Sequence, residues 1–241
     1  MIDPRPIRSW LAQTARPLDA AYVSWRLGDG STNEVVEDLA RFQNADGGFG
    51  NGIEPDLPLP DSTALATSVA LQYLSSLQAP AGQAVVQGAI TWLTNAFDPG
   101  RSGWPIVVPA VDDYPHAPWW GYEGAMAGFG WGNPSAEILG YLIEFGGNET
   151  DGLEEKVTAR ALARLQELAE TREADFHELL CFKRLFERAG DELKIQMEEP
   201  LRNLILAAVS VDPGAWGGYV CTPLTFVQAP DDPFTELFDQ S

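Results

Sequence analysis

The residues best suited to chemistry lie in one stretch of twelve, Asp112-Asp113-Tyr114-Pro115-His116-Ala117-Pro118-Trp119-Trp120-Gly121-Tyr122-Glu123. It holds three carboxylates, one of the chain's two histidines and four aromatic rings. Neighbouring carboxylates hinder one another's ionisation, and burial adds to the effect. A carboxylic acid kept neutral near pH 7 is a proton donor, and aromatic faces stabilise cations. An acid beside Trp119, Trp120 and Tyr122 therefore suits the generation and shelter of a cation. Asp112 and Asp113 are the candidate acids, with His116 as a third candidate catalytic group. Trp104, Trp119, Trp120, Tyr122, Glu123 and Trp131 are the candidate substrate wall. The competing reading is structural. Loop carboxylates bond their own turns, and His116, set between Tyr-Pro and Ala-Pro, suits a loop as well as a site. His177 is expected in the first turn of a helix and is read as structural.

A second acidic stretch, Gln43–Asp61, carries Asp46, Glu54, Asp56 and Asp61. The first, taken whole as Asp98–Gly132, carries Asp98, Asp112, Asp113 and Glu123. Against these eight acids the two stretches hold one base, Arg101, whereas nine of the chain's fifteen bases lie between Lys156 and Arg202. If the loops converge, they form an electronegative, aromatic rim. Glu54 and Asp56 are candidate ligands for Mg²⁺ in the event that the substrate carries a diphosphate.

Helices must position these loops. Ser31-Thr32-Asn33-Glu34 reads as a capping box opening a helix to about Phe42, with Val35, Val36, Leu39 and Phe42 on one face. Asp61-Ser62 is expected to cap a helix whose Ala64, Leu65, Thr67, Ser68, Leu71 and Leu74 suit close packing. A further helix is expected over Gln83–Phe97. Asn133-Pro134-Ser135 starts another, with proline in its first turn, ending at Gly146-Gly147. Leu153–Thr171, Asp175–Ala189 and Leu193–Val211 complete the set. The tail from Asp212 is a Gly/Pro/aromatic segment with a short helix near its end. Pro105–Ala110 is the one apolar run that suits an extended segment. Consecutive helical pairs point to an all-α solenoid or closed α/α barrel.

Glycine recurs beside an aromatic residue just after a helix. The copies are Phe42-Gln43-Asn44-Ala45-Asp46-Gly47-Gly48-Phe49-Gly50, Ser102-Gly103-Trp104 and Gly214-Ala215-Trp216-Gly217-Gly218-Tyr219. A glutamine amide there can bond backbone groups orphaned at a neighbouring helix end. The glycines permit a tight turn, and the ring plugs the gap between hairpins. The first copy resembles the QW motif of squalene-hopene cyclases and the related repeat of protein prenyltransferase β subunits, with Gln43, Gly47 and Phe49 at the matching positions. The later copies lack the glutamine. The resemblance implies a single all-α domain over residues 1–241, an α/α toroid of antiparallel hairpins whose inner helices line an apolar cavity for an isoprenoid substrate. About seven helices are legible, against the six hairpins of a complete toroid, so a smaller or open ring, or closure through a homodimer, is the expected departure. The Asp-x-Asp-Asp motif of class II cyclases is missing; Asp112-Asp113 is its nearest approach, then Glu54-x-Asp56. A zinc prenyltransferase would need Asp, Cys and His ligands, and no histidine follows Cys221.

Composition bounds the alternatives. The net charge of −20 repels polyanions, which argues against nucleic-acid partners and anionic membranes. No run of about 18 apolar residues suits a membrane span. Met1-Ile2-Asp3-Pro4-Arg5 lacks the apolar core of a signal peptide, so the cytoplasm is the expected compartment. Cys181 and Cys221 form no C-x-x-C pair and read as buried thiols. Two other functions remain open. An α/α barrel handling glycans would use carboxylates such as Asp56, Asp112, Asp113 or Glu123, with Trp104, Trp119, Trp120 and Trp131 as stacking surfaces. A non-catalytic scaffold would use the aromatics as plugs and the acids as a solvated rim.

Overall fold

The computed structural model describes residues 5–147 and 150–238. Residues 1–4, part of the stretch read above for a leader, and the last three of the tail lie outside them. The described chain is all-α, 64% helical, with no strand. Pro105–Ala110 therefore joins no sheet; its last two residues open a 3₁₀ turn over Pro109–Asp113.

Helices α1 (Arg5–Thr14) and α2 (Pro17–Arg26) come before the first helix expected from sequence. Helix α1 buries no residue, and α2 fully buries only Leu18, although Ala21, Tyr22 and Trp25 on the same face pack half-buried on the main core. Helix α3 (Thr32–Leu39) opens on the expected capping box: Glu34 N–H donates to Ser31 Oγ at 3.2 Å, and Ser31 N–H donates to Glu34 Oε2 at 2.9 Å. Helix α4 (Ala64–Ser76) starts later than expected. Its cap is Thr63, whose Oγ1 accepts the Ala66 N–H at 3.0 Å, while Ser62 donates instead to Asp46 Oδ1 at 2.8 Å. Helix α5 spans Ala84–Ala96. The second long loop contains a helix that the sequence did not announce, α6 (Tyr122–Gly128). Helix α7 is assigned over Gly132–Phe145, with Asn133 non-helical and the Asn133–Pro134 peptide cis. Helices α8 (Asp151–Thr171), α9 (Phe176–Arg188) and α10 (Asp191–Ala208) follow, then the short α11 (Pro223–Phe226).

Helix α7 is the hub. It packs against α4, α5, α8 and α9, and α10 closes over α8 and α9. Gly140 permits a close backbone approach of α7 to α9: a Cβ there would lie 3.2 Å from Leu185 Cα. The first glycine loop locks onto α5 in the manner its glutamine suggests. Gln43 Nε2 donates to Gly47 O and to Val85 O, both at 2.9 Å. Gly47 has φ +93°, and a Cβ on it would sit 2.5 Å from the Gly88 carbonyl oxygen of α5, so glycine is required on two counts. Phe49 is fully buried, and Trp104 plugs the second copy with its indole N–H on Leu93 O at 2.7 Å. The third copy plugs nothing, since Trp216 and Tyr219 are exposed.

The two long loops share a small core of their own. Leu57 and Leu59 from the first meet Ile106, Val107, Val111 and Trp120 from the second, on Leu65 of α4. Each such side chain contributes about 1.5–3 kcal/mol on full burial, which holds both loops against the helical body. No helix of the described residues is long and apolar enough to cross a membrane.

Candidate functional site

The loops meet at Asp56. Its carbonyl accepts the Ala117 N–H at 3.0 Å, and its Oδ1 accepts the Trp120 indole N–H at 2.7 Å. Trp120 in turn stacks on Phe129, with centroids 5.1 Å apart. Beneath this junction lies a cavity of about 1040 Å³. Helix α4 supplies Ser68, Val69, Gln72 and Tyr73, α7 supplies Glu137, and α9 supplies His177, Leu180, Cys181 and Arg184. The loops add Glu54, Trp119, Trp120 and Phe129.

Glu54 is the acid at the loop wall. Arg16 fixes its backbone: the guanidinium Nη1 donates to Gly52 O at 2.8 Å and Ile53 O at 2.9 Å, while its other edge forks onto the Asp19 carboxylate. Burial, reinforced by the neighbouring Asp56, holds the Glu54 carboxyl above the usual carboxylate range, and the opposing pull of Arg16 does not cancel this. The result is an acid that keeps its proton to higher pH than an exposed glutamate, in a wall it shares with aromatic rings.

The helical wall carries a denser polar cluster. Glu137 is buried; its Oε1 accepts the Tyr141 hydroxyl at 2.6 Å and its Oε2 accepts Arg184 Nη1 at 3.0 Å. The Cys181 Sγ lies 3.5 Å from Glu137 Oε2. Burial and then Glu137 push the Cys181 thiol well up, so it is a neutral donor and not a thiolate nucleophile. The same two causes push the Tyr141 phenol well up. Burial works most strongly against the Arg184 charge, but the attraction of Glu137, joined by Cys181 and Tyr141, together holds the guanidinium above its ordinary value. Behind this cluster the buried Glu178 accepts the Gly132 N–H at 2.7 Å and a two-armed bond from Arg164 at 2.9 and 3.0 Å. It anchors the start of α7 and faces no open space.

At the mouth, Asp175, His177 and Tyr219 form a chain of side chains. His177 Nδ1 is 3.0 Å from Asp175 Oδ1, and its Nε2 is 2.9 Å from the Tyr219 hydroxyl. The bond from His177 draws the Asp175 carboxyl below the usual range.

Of the residues singled out from sequence, Glu54, Trp119 and Trp120 line the cavity, and Asp56 braces its rim. Asp112 lies outside the lining and caps α6, accepting the Tyr122 N–H at 2.9 Å. Asp113 and Glu123 are exposed, and His116 turns back to Tyr114 O at 2.7 Å. Trp104 is buried in the main core, Tyr122 packs on the small loop core, and Trp131 stacks under Arg160 with its indole N–H on Arg101 O. No sequence motif marks Glu137, Arg184, Asp175 or Tyr219, and His177, expected as a structural residue, lines the cavity instead. One signal is available: Glu137 sits between Ala136 and the apolar run Ile138-Leu139, on a helix where an unpaired buried charge would be costly. Among the described residues, no three His, Cys, Asp or Glu side chains converge as a metal site.

Comparison of the chain with protein-family models, with curated proteins and with solved structures finds no match.

Proposed function

We propose that this chain is an acid catalyst of the terpenoid-cyclase kind, with Glu54 protonating an isoprenoid chain held in the aromatic cavity. The observation that carries the reading is the position of Glu54: a carboxyl whose ionisation is hindered by burial and Asp56, in the wall of a large cavity it shares with Tyr73, Trp119, Trp120 and Phe129. Proton transfer from Glu54 to a C=C bond uses the alkene pair to form C–H and leaves a cation on the neighbouring carbon. The ring faces stabilise that cation, and the carboxylate left behind balances its charge. Glu54 takes the acid's part that Asp112 and Asp113 hold in the sequence reading.

The helix order supports the finer architecture. Helices α4, α7 and α9 contribute to the cavity wall, whereas α5, α8 and α10 pack behind them. Alternate inner and outer helices are the arrangement of an α/α toroid, here with fewer hairpins than a complete ring. Glu54 and Asp56 suit an acid and its brace better than a resident Mg²⁺: burial disfavours the charged form of Glu54, and Asp56 Oδ1 is committed to Trp120.

A second reading, glycan chemistry, draws on Trp119, which is 56% exposed at the mouth, and on the carboxylates of Glu54, Glu137 and Asp175 in one cavity. The test is incubation with polyprenols, polyprenyl diphosphates and squalene, with and without Mg²⁺, with products identified by mass spectrometry. Glu54→Gln is expected to lower product formation by about 10²–10⁴-fold. No product from any of these compounds would remove the reading and transfer the cavity to oligosaccharides. Full loss in Asp113→Asn with none in Glu54→Gln would return the acid's part to the second loop.

A further inference from the structure

Glu54 leaves the opposite chemistry, proton removal, without an agent, and the mouth of the cavity supplies one. We infer that Tyr219 is a catalytic base of this cavity, with His177 and Asp175 as the positioning residues that take up its proton. The inference holds whether or not Glu54 is an acid.

The hydrogen bonds fix the direction of transfer. The Asp175 carboxylate only accepts, so His177 carries its proton on Nδ1 and donates it to Asp175 Oδ1 at 3.0 Å. Nε2 is then left with its lone pair, and the Tyr219 hydroxyl at 2.9 Å donates to it. The Tyr219 oxygen keeps free lone pairs, on a side chain that is 82% exposed yet lines the cavity. As this oxygen takes a substrate proton, its own proton passes to Nε2, and the imidazolium formed lies against the Asp175 carboxylate. No negative charge need build on the phenol. The three side chains are held from two places in the fold: Asp175 caps α9, its Oδ1 also accepting the His177 N–H at 2.9 Å, while Tyr219 comes from the tail and packs on Phe176 at a centroid distance of 5.6 Å.

The aromatic wall of Trp119, Trp120 and Phe129 in the same cavity selects the substrate class: flat, weakly acidic C–H compounds that stack on a ring face. A benzisoxazole is a direct probe of that class. Removal of its ring C–H proton sends the C–H pair into a new carbon–nitrogen π bond and breaks the N–O bond onto oxygen. The product is a coloured cyanophenolate, and the step needs no oxidant or reductant. The proton ends on His177 and is lost to water.

The experiment measures elimination of 5-nitrobenzisoxazole by the full chain and by Tyr219→Phe, His177→Gln and Asp175→Asn. The unaltered chain is expected to exceed the buffer rate. Tyr219→Phe and His177→Gln are each expected to lower kcat at least about tenfold while leaving KM within about twofold, because binding rests on the aromatic wall. Asp175→Asn keeps the helix cap, so a fall in kcat there reports the lost carboxylate charge. Since the chain has only two histidines, nitrogen NMR reads the His177 tautomer directly, and proton on Nδ1 is expected. An unaltered chain no faster than buffer, a Tyr219→Phe variant with unchanged kcat, or a His177 proton on Nε2 would each overturn the relay. Because Tyr219 is exposed, its variant folds as the parent does, which circular dichroism checks.

Discussion

Trp120 and Asp56 are 64 residues apart in sequence, and their side chains meet in a 2.7 Å hydrogen bond. That bond, with the Ala117 N–H on the Asp56 carbonyl, joins the two acidic loops over the cavity. It also sets the Glu54 environment, because Asp56 is the neighbour that adds to the effect of burial on that carboxyl.

Trp120→Phe keeps the ring stack on Phe129 but removes the indole donor and leaves Asp56 Oδ1 without it. A loss of about 1–3 kcal/mol is expected in urea unfolding. A change below a few tenths would mean that water replaces the indole and that the loops are held by their shared apolar core alone.

The upward shift of the Glu54 carboxyl has a defined sign. The native chain holds this proton at pH values where the unfolded chain has released it. Stability is therefore lost as pH rises from about 4.3, the ordinary glutamate value, through the raised native value. Glu54→Gln is expected to flatten that part of the stability curve, while acid-dependent turnover of the unaltered chain falls only as pH passes the raised native value. Parallel curves for the two proteins would show that Glu54 ionises in the native state as it does unfolded.

Glu137→Ala strands Arg184 and removes the acceptor of the Tyr141 hydroxyl. The expected cost is about 2–3 kcal/mol by chemical denaturation. This is below the range for a wholly buried pair because Arg184 keeps solvent contact through the cavity. The paired change Glu137→Leu with Arg184→Met is expected to cost less than the sum of its single changes, read from a double-mutant cycle.

Gln43→Glu tests the first glycine loop. The amide donates to two carbonyl oxygens. A carboxylate offers them no donor and adds repulsion, so the variant is expected to lose about 2 kcal/mol or more. Gln43→Ala is the milder comparison, and equal melting temperatures for all three proteins would refute the bridge.

Cys181 is expected to resist alkylation by iodoacetamide at neutral pH, because its thiol is buried and pushed well above the ordinary value. Mass spectrometry of the native chain reads this directly. Rapid labelling at Cys181 in the folded state would show that the Glu137 cluster opens to solvent.

The helical character of the chain and the course of most of its helices are legible in the sequence. Period 3.6 in the apolar residues, the Ser31 capping box and the glycine stops are local signals, written within a few residues of the structure they specify. Also legible is the tie of the Gln43 loop to a neighbouring helix, since a lone amide beside glycines has few other uses. Which carboxylates face the cavity depends on long-range packing. Asp112 and Asp113 look more reactive on paper than Glu54, yet Asp112 is consumed by the start of α6 and Asp113 is left in solvent. Glu137, Arg184 and Cys181 lie on two different helices, and Asp175, His177 and Tyr219 on a helix start and the distant tail. No spacing rule connects them, because the contact between α7 and α9, and the return of the tail, bring them together. A side chain's reactivity depends on what desolvates and neighbours it, and those neighbours come from remote parts of the chain.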